Sequence, residues 1–464
     1  MQYGFVLDQE ACIGCHACTV GCKAENDVPL GSFRTWVKWI EHGSFPDTRR
    51  SAAVLRCNHC ADAPCVAICP TGALRKRPDG IVDLDAERCI GCASCLQACP
   101  YDAIYIDDAE GTAAKCHFCA HRIEVGLAPA CVSVCPEQAI KVVDFDDPAT
   151  VALLDERGAV ARKPERGTLP RTLYLGADPA TLDPLAVDGT RTLSHASVPD
   201  PLPAPGNAEA RSVYDVPRPR RWGGKIAAYL VTKAGAAGAL LLAASSALPP
   251  LSARPEFASL DPRWLGLLSL VLLAATGVLL IADLHKPARF FYLLTMPNTG
   301  SWLVRGAWVL ALHGAIALAW TLGLSHPVLA ALSVPSALMT AIYTAFLFRQ
   351  ARGREMWCED RLLPWTLGLQ AVAAMAAIAW CFGIDGGWVL AALIAYLAVV
   401  GLDALLPGTT RAARRGHELM IRHPAFAAGV ALALGALFLA PLVFVAFLCL
   451  DWAYVHAGQE VPLS

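Results

Sequence analysis

Two kinds of hydrophobic pattern divide the chain. From residue 222 onward, apolar residues dominate seven stretches, at about 226–248, 264–284, 303–324, 327–348, 364–383, 387–406 and 425–450. Each is long enough to cross a bilayer core of roughly 30 Å as a helix. Before residue 177 the apolar runs are short and rich in β-prone residues, as in RTWVKWI (34–40), ALRKR-PDG-IVDL (73–84) and AIYID (103–107). Such runs, punctuated by turn residues, predict small hairpins rather than long helices. Between the two regions, 177–221 shows no apolar period and is rich in Pro, Ala and Asp, as in SVPDPLPAPGNAEARSVYDVPRPRR. It reads as an extended connector. The expected organisation is a small strand-containing domain (1–176), a linker (177–221), a helical membrane domain (222–456) and a short tail (457–464).

Charge follows the same division. Only 17% of the 464 residues are charged, against about 25% in soluble domains. Residues 1–221 hold 23 Lys+Arg and 29 Asp+Glu, and residues 222–464 hold 15 and 11. Neither part has the strongly basic balance that phosphate contacts need, so nucleic-acid binding is excluded as a function class. In the apolar half the position of the charges matters more than their number. Sixteen Lys+Arg fall before the first span or in the 2–3, 4–5 and 6–7 loops, and two, Arg254 and Arg263, fall on the other side. By the positive-inside bias, seven spans with the N-terminal domain in the cytoplasm satisfy that distribution. The first residues, MQYGFVLDQEACIGC, show no basic segment followed by an apolar run and a small-residue cleavage site, and Arg49-Arg50 lies too deep for a twin-arginine signal. The N-terminal domain is therefore expected to stay unexported.

Sixteen of the 19 cysteines lie between Cys12 and Cys135. Thiols on the reduced side of a membrane are metal ligands more readily than disulfide partners. They form four quartets: Cys12, Cys15, Cys18, Cys22; Cys57, Cys60, Cys65, Cys69; Cys89, Cys92, Cys95, Cys99; and Cys116, Cys119, Cys131, Cys135. The first and third share the spacing C-x2-C-x2-C-x3-C, and three quartets end in Cys-Pro. Three thiolates on one tight loop can each reach a different iron of a cubane, while the fourth points to the neighbouring cluster. Structural zinc favours separated C-x2-C pairs instead. Sixteen ligands predict four 4Fe–4S clusters. His16, His59, His117 and His121 lie near the ligands but are not needed to close any site. The two-unit ferredoxin-like domain is expected to have little conventional core, with the clusters supplying much of its stability.

These motifs, with AIKVVDFDDPATV and PERGTLPRTLYLG beyond them, make residues 1–176 resemble the four-cluster iron–sulfur subunits of the dimethyl sulfoxide reductase and polysulfide reductase group. The resemblance implies that the first quartet pairs with the fourth and the second with the third. One cluster would take Cys12, Cys15, Cys18 and Cys135, and its neighbour Cys22, Cys116, Cys119 and Cys131. The others would take Cys57, Cys60, Cys65 with Cys99, and Cys69 with Cys89, Cys92 and Cys95.

YLVTKAGAAGA (229–239), ADLHKPARFFYLLTMPNTGSWLVRGAW (282–308) and IYTAFLFRQARGREMWCEDRLLPW (342–365) make the second half resemble the NrfD/polysulfide reductase membrane subunits, which exchange electrons with quinone. Relatives commonly have eight spans, so the seven found here leave two C-terminal helices merged or one lost. The fold class expected is thus an α+β double ferredoxin-like domain joined to an all-α membrane bundle: an iron–sulfur subunit fused to its membrane anchor.

Ionisable residues inside a membrane mark functional sites by default. Lys233 lies eight residues into the first span, about 12 Å deep at helical rise. Asp283 and His285 end the second span on the same side, with His313 in the third and Tyr343 in the fourth at comparable depth. Their convergence suits a site for menaquinone or ubiquinone, whose two-proton, two-electron chemistry needs partners for both ring oxygens and a proton acceptor. The structural alternative is a Lys233–Asp283 ion pair holding helices together, with Tyr343 as an anchor. His313 alone is well inside the membrane, which disfavours bis-histidine haem. Cys358, Cys381 and Cys449 have no paired spacing and read as small apolar fillers, and the glycines of GAAGA predict close helix packing.

The chain shows no nucleophile or nucleotide-binding loop. It is expected to do no substrate chemistry itself; the two resemblances imply an electron-transfer subunit of the inner membrane that carries electrons between quinone in the lipid bilayer and a cytoplasmic, molybdopterin-containing catalytic subunit. Two other readings share the same motifs: the equivalent subunit of a hydrogenase-type complex, told apart by assaying molybdenum and nickel, and a redox-driven proton translocator, told apart by proton pumping in proteoliposomes.

Overall fold

A computed structural model describes residues 1–464 except Phe45, 188–209, Pro217, Pro250, Arg254, Ser259, 385–386, Pro407 and Ser464. The centre of the expected connector, and Arg254 of the charge count, lie outside the described residues. The chain forms two compact units, Met1–Pro219 with Pro462–Ser464, and Arg220–Val461.

The first unit is strand-rich and built from short pieces. A four-stranded sheet carries β1 (Tyr3–Asp8), β8 (Ile140–Asp144), β9 (Val160–Ala161) and β10 (Thr172–Leu175) in the order β8-β1-β10-β9. β1 runs antiparallel to β8, with Phe5 opposite Val142, and parallel to β10, with Phe5 opposite Thr172. The run around RTWVKWI becomes β2 (Thr35–Ser44), paired antiparallel over its full length with β3 (Asp47–Arg56). The two other predicted runs form the hairpins β4 (Leu74–Lys76)–β5 (Val82–Leu84) and β6 (Ile104–Asp107)–β7 (Thr112–Lys115). β11 (Ala210–Tyr214), from within the stretch read as an extended connector, adds to β2 as an edge strand. Beyond it Asp215 pairs with buried Lys38, and Arg218 lies 4.0 Å above the Trp36 ring. Apolar packing is divided into small clusters, such as Val6 with Leu154 and Leu175, or Val28 with Tyr105 and Ala114.

The second unit is all-helical. Seven helices are long and apolar enough to cross a membrane: α1 (Gly224–Ser245), α2 (Pro262–Ala282), α3 (Trp302–Thr321), α4 (Pro327–Gln350), α5 (Leu363–Cys381), α6 (Gly387–Leu405) and, after α7 (Arg411–Arg422) and α8 (Pro424–Gly435), α9 (Leu442–Glu460). The protein is thus a multi-pass membrane protein. α1 is buried on nearly every side, as expected of a helix that is apolar all round and central to a bundle. The close packing expected of its glycines is seen at Gly238, where a Cβ would sit 2.5 Å from the backbone nitrogen of Met375 on α5.

The expected last span, 425–450, is two helices. α8 has 12 residues, a rise of about 18 Å, and the chain then turns through 436–441 into α9. His423, just before α8, meets the ring of His456 near the end of α9, so the two helices form an antiparallel pair. At that end Gln459 donates to the Trp222 carbonyl at 2.7 Å and accepts from its N–H at 3.1 Å, and Arg220 pairs with Glu460 at 2.7 Å. α9 therefore finishes where α1 begins. The polypeptide makes an even number of traverses, seven long and one short, where seven spans would have left the C-terminus at the opposite end.

Candidate functional site

The cysteines of the first unit sit in loops whose backbone is bent into the left-handed region. Gly14 and His16, between Cys12 and Cys18, have φ of 66° and 62°, and Gly91 and Ala93, at the matching positions of the third quartet, have 68° and 56°. His59 and Phe118, inside the other two quartets, are also at positive φ. A non-glycine residue there costs about 1–2 kcal/mol, and such strain persists where surrounding structure imposes it. Here it falls within all four cysteine quartets. All sixteen cysteines are free thiols, twelve of them buried and only Cys15 exposed.

Two cavities collect thiols from quartets far apart in sequence. One of about 330 Å³ is lined by Cys12, Cys15, Cys18 and Cys135, and one of about 340 Å³ by Cys69, Cys89, Cys92 and Cys95. Cys22 shares its surroundings with Cys131 and Cys119, and Cys116 lies near Cys22 and Cys131. Cys60 and Cys65 are neighbours of Cys57 and Cys99. Thiols from different quartets therefore lie near one another. Among the described residues no three His, Cys, Asp or Glu side chains converge tightly enough for one metal ion, whereas tetrahedral zinc needs its sulfurs about 2.3 Å from a common centre. Sixteen free thiols in short loops are the donor set that iron–sulfur clusters take.

Burial pushes Cys18 up to about 11, and Cys22 and Cys92 up to about 12. Metal binding must displace these protons, which couples loading to folding. Hydrogen-bond donors point at the sulfurs: the Leu74 N–H at Cys69 (3.5 Å), the Ala113 N–H at Cys89 (3.4 Å) and the Arg56 guanidinium at Cys131 (3.2 Å). The four nearby histidines have protein partners: His16 accepts from Trp39 Nε1, His59 from the Val82 N–H, His117 from the Cys119 N–H, and His121 meets Glu25 at 2.8 Å.

In the helical unit, Lys233 on α1 is buried at 1% exposure. Its Nζ donates to the Ala341 carbonyl at 2.9 Å and to Thr344 Oγ1 at 2.5 Å, and lies 4.8 Å from the Tyr343 ring centroid. Tyr343 is held by contact with α3, where a Cβ on Gly306 would overlap its ring. His313 on α3 is buried, 2.9 Å from Ser269 Oγ on α2 and 2.9 Å from Thr340 Oγ1, which stands one turn before Thr344 on α4. The structural alternative, a Lys233–Asp283 ion pair, is not formed among the described residues. Asp283, at the end of α2, faces Lys225 and His285, because the rotation of α2 turns it toward the bundle's end. The carboxylate that Lys233 senses is Asp451 on α9, held by Gln370 Nε2 at 2.9 Å. Asp451 escaped the sequence reading because the last span appeared to end at 450; the break at 436–441 moves that span to 442–460.

A second polar group also went unread. Asp360 caps α5 through the N–H groups of Leu362 and Leu363 and accepts from Tyr454 at 2.8 Å. Desolvation and the nearby Asp403 carboxylate push it up to about 6. Burial opposes charge on His417, but its contacts with Asp403 and the Ala413 carbonyl outweigh that and raise its pKa. Of the remaining cysteines, Cys358 donates to the carbonyls of Ala351 and Arg349.

Left-handed cysteine loops on a small sheet scaffold, with free thiols from different quartets lining shared clefts, define a ferredoxin-type iron–sulfur protein. A family model for the 4Fe-4S dicluster domain matches residues 52–145. A subunit of the tetrathionate reductase of Salmonella typhimurium is 44% identical over 190 residues, covering 40% of this chain and 76% of that protein. Thiosulfate reductase electron transfer subunit PhsB of Salmonella typhi is 46% identical over 149 residues, 32% of this chain and 78% of its own. One of the chains of the polysulfide reductase of Wolinella succinogenes is 40% identical over 151 residues, 32% and 78%. The protein belongs to this family of reductase iron–sulfur subunits, and its seven apolar helices extend that subunit with a membrane anchor.

Proposed function

We propose that the protein is the electron-transfer and quinone-reactive subunit of a respiratory complex, linking a membrane quinone to a separate molybdopterin-containing catalytic subunit. The observation that carries this is sixteen free thiols, brought near one another from different quartets, in a polypeptide that also has seven apolar helices and a buried polar site. When bound, four 4Fe–4S clusters would supply one-electron carriers between the two-electron chemistries at either end. The protein's part is to hold the ligand sets Cys12/15/18/135, Cys22/116/119/131, Cys57/60/65/99 and Cys69/89/92/95, to exclude water from most of the sulfurs and to aim N–H donors at them. The names of the relatives, subunits of reductases and an electron transfer subunit, support a catalytic partner.

In the helical unit Lys233 would donate to one quinone ring oxygen, with Tyr343 as a flat wall and Asp451 as the acceptor of a quinol proton. Asp283 and His285 would stand nearer the basic end, and His313 would fix the helix register behind the pocket. The 14 Lys+Arg at that end of the unit support a cytoplasmic orientation in the inner membrane. The test is purification of the complex with its partner, followed by iron, sulfide, molybdenum and nickel assays and quinol oxidation. About 16 irons per chain, molybdenum in the partner and quinone turnover that falls on Lys233→Met are expected. Zinc in place of iron, or full turnover in a cluster-loaded Lys233→Met complex, would refute the reading.

A further inference from the structure

Arg56 ends β3 immediately before Cys57 and has 0% exposure. Its Nη1 donates to Cys131 Sγ at 3.2 Å, and its guanidinium carbon lies 4.4 Å over the Phe5 ring. Cys116 and Cys18 are the other thiols close enough to act on its charge. Its Nε and Nη2 have no hydrogen-bond partner, and among the described residues no carboxylate pairs with it. A buried cation whose donors point only at sulfur is tolerated when an anion occupies that space.

Most other groups around the same sulfurs are donors; the exception, the Glu25 carboxylate near Cys119, is paired by Arg122 at 2.9 Å and meets His121 at 2.8 Å. Asn26 Nδ2 lies 3.7 Å from Cys22 Sγ and 3.9 Å from Cys119 Sγ, and Arg34 supports Asn26 through its Oδ1 at 3.4 Å. Lys115, the other buried cation nearby, instead donates to the carbonyls of Val82 and Cys116.

We infer that Arg56 is a potential-setting residue for the cluster held by Cys22, Cys116, Cys119 and Cys131, and makes that centre the most readily reduced of the four. This rests on the cluster reading above. A cubane with four thiolate ligands is anionic, and taking up one electron adds a further negative charge. A fixed cation and N–H···S donors stabilise that added charge and raise the reduction potential. Arg56 acts through the ligand sulfur and is therefore a positioning residue, not a catalytic one.

The test is an EPR-monitored redox titration of the full-length protein in its complex, with iron and sulfide counted in each sample. Arg56→Gln should lower one midpoint by at least tenfold in the reduced-to-oxidised ratio, about 59 mV for one electron, and leave the others closer to their original values. Arg56→Lys should restore most of the shift. Asn26→Asp, which places a carboxylate beside two ligands of the same set, should lower the same signal. In the unmodified protein that signal should be the highest of the four, an expectation that stands even if Arg56→Gln loads poorly. Four intact clusters with unmoved midpoints in Arg56→Gln, or an Asn26→Asp effect on a centre that is not the highest, would overturn the role of Arg56. An unmodified protein without iron and sulfide would instead overturn the cluster reading, and the inference with it.

Discussion

Replacing Lys233 with Met separates a working ammonium from a structural one by the sign of a stability change. Met keeps the length and apolar stem of the side chain and removes only the charge. If Lys233 were one half of a helix-holding ion pair, its loss would strand a buried charge and cost about 3–5 kcal/mol. The structure gives it no carboxylate within ion-pair distance among the described residues; its donors go to a helix carbonyl and a threonine hydroxyl. Ala341 also has its helical partner, and Thr344 can turn its hydroxyl back onto its own helix, so little is left unsatisfied. Removing the desolvation of a buried cation should then leave stability unchanged or raise it by about 1–4 kcal/mol. Quinone turnover should behave oppositely. A charge-assisted donor aimed at a developing oxyanion contributes about 2.7–4 kcal/mol, or 10²–10³ in rate. The assay pairs thermal unfolding of the purified complex with quinol-driven cluster reduction. A lowered unfolding midpoint with unchanged turnover would refute the reasoning on both counts.

Four further outcomes follow from particular contacts. Gly14→Ala combines a φ of 66° with a Cβ that would overlap the Trp39 ring, so left-handed strain of about 1–2 kcal/mol adds to overpacking of about 1–3 kcal/mol; iron analysis should show loss of about one cluster's worth, four irons. Gly306→Ala pushes the Tyr343 ring away from Lys233, and quinone turnover should fall with the iron content intact. Gly458→Ala drives a methyl into Trp357 Nε1 and should destabilise the bundle by about 1–3 kcal/mol, read as a lowered midpoint in thermal unfolding. Asp360 is raised from 3.8 to about 6 by desolvation and the Asp403 carboxylate, so the folded state holds its proton more tightly than the unfolded one; the stability this group contributes is present below pH 3.8 and is lost as pH rises through about 6. Asp360→Asn should flatten that part of the profile in pH-dependent thermal unfolding. The raised His417 adds a loss of the same sign at higher pH.

The cysteine spacing and the long apolar runs were legible because each encodes its structure locally. A C-x2-C-x2-C loop specifies its own geometry, and a 20-residue apolar helix declares its span by length. The grouping of thiols between quartets came from family resemblance, not from spacing. What escaped depends on helix rotation and on breaks, which hydropathy averages away. Asp283 lies at the right depth but turns toward Lys225, and Asp451 enters the membrane only once α8 and α9 are seen to be separate. β11 was invisible because Ala210–Tyr214 has no strong β pattern of its own and is recruited by the open edge of β2. The Asp360–Asp403–His417 group joins three segments that no sequence period connects.

The meeting of Gln459 with Trp222 has a practical reach beyond the bundle itself. Because the last helix returns to the starting end, a reporter fused after the C-terminus and one fused at the head of α1 would face the same aqueous compartment. A phosphatase that folds only outside the cell and a fluorescent protein that matures only inside should therefore give matching readings at both fusion points.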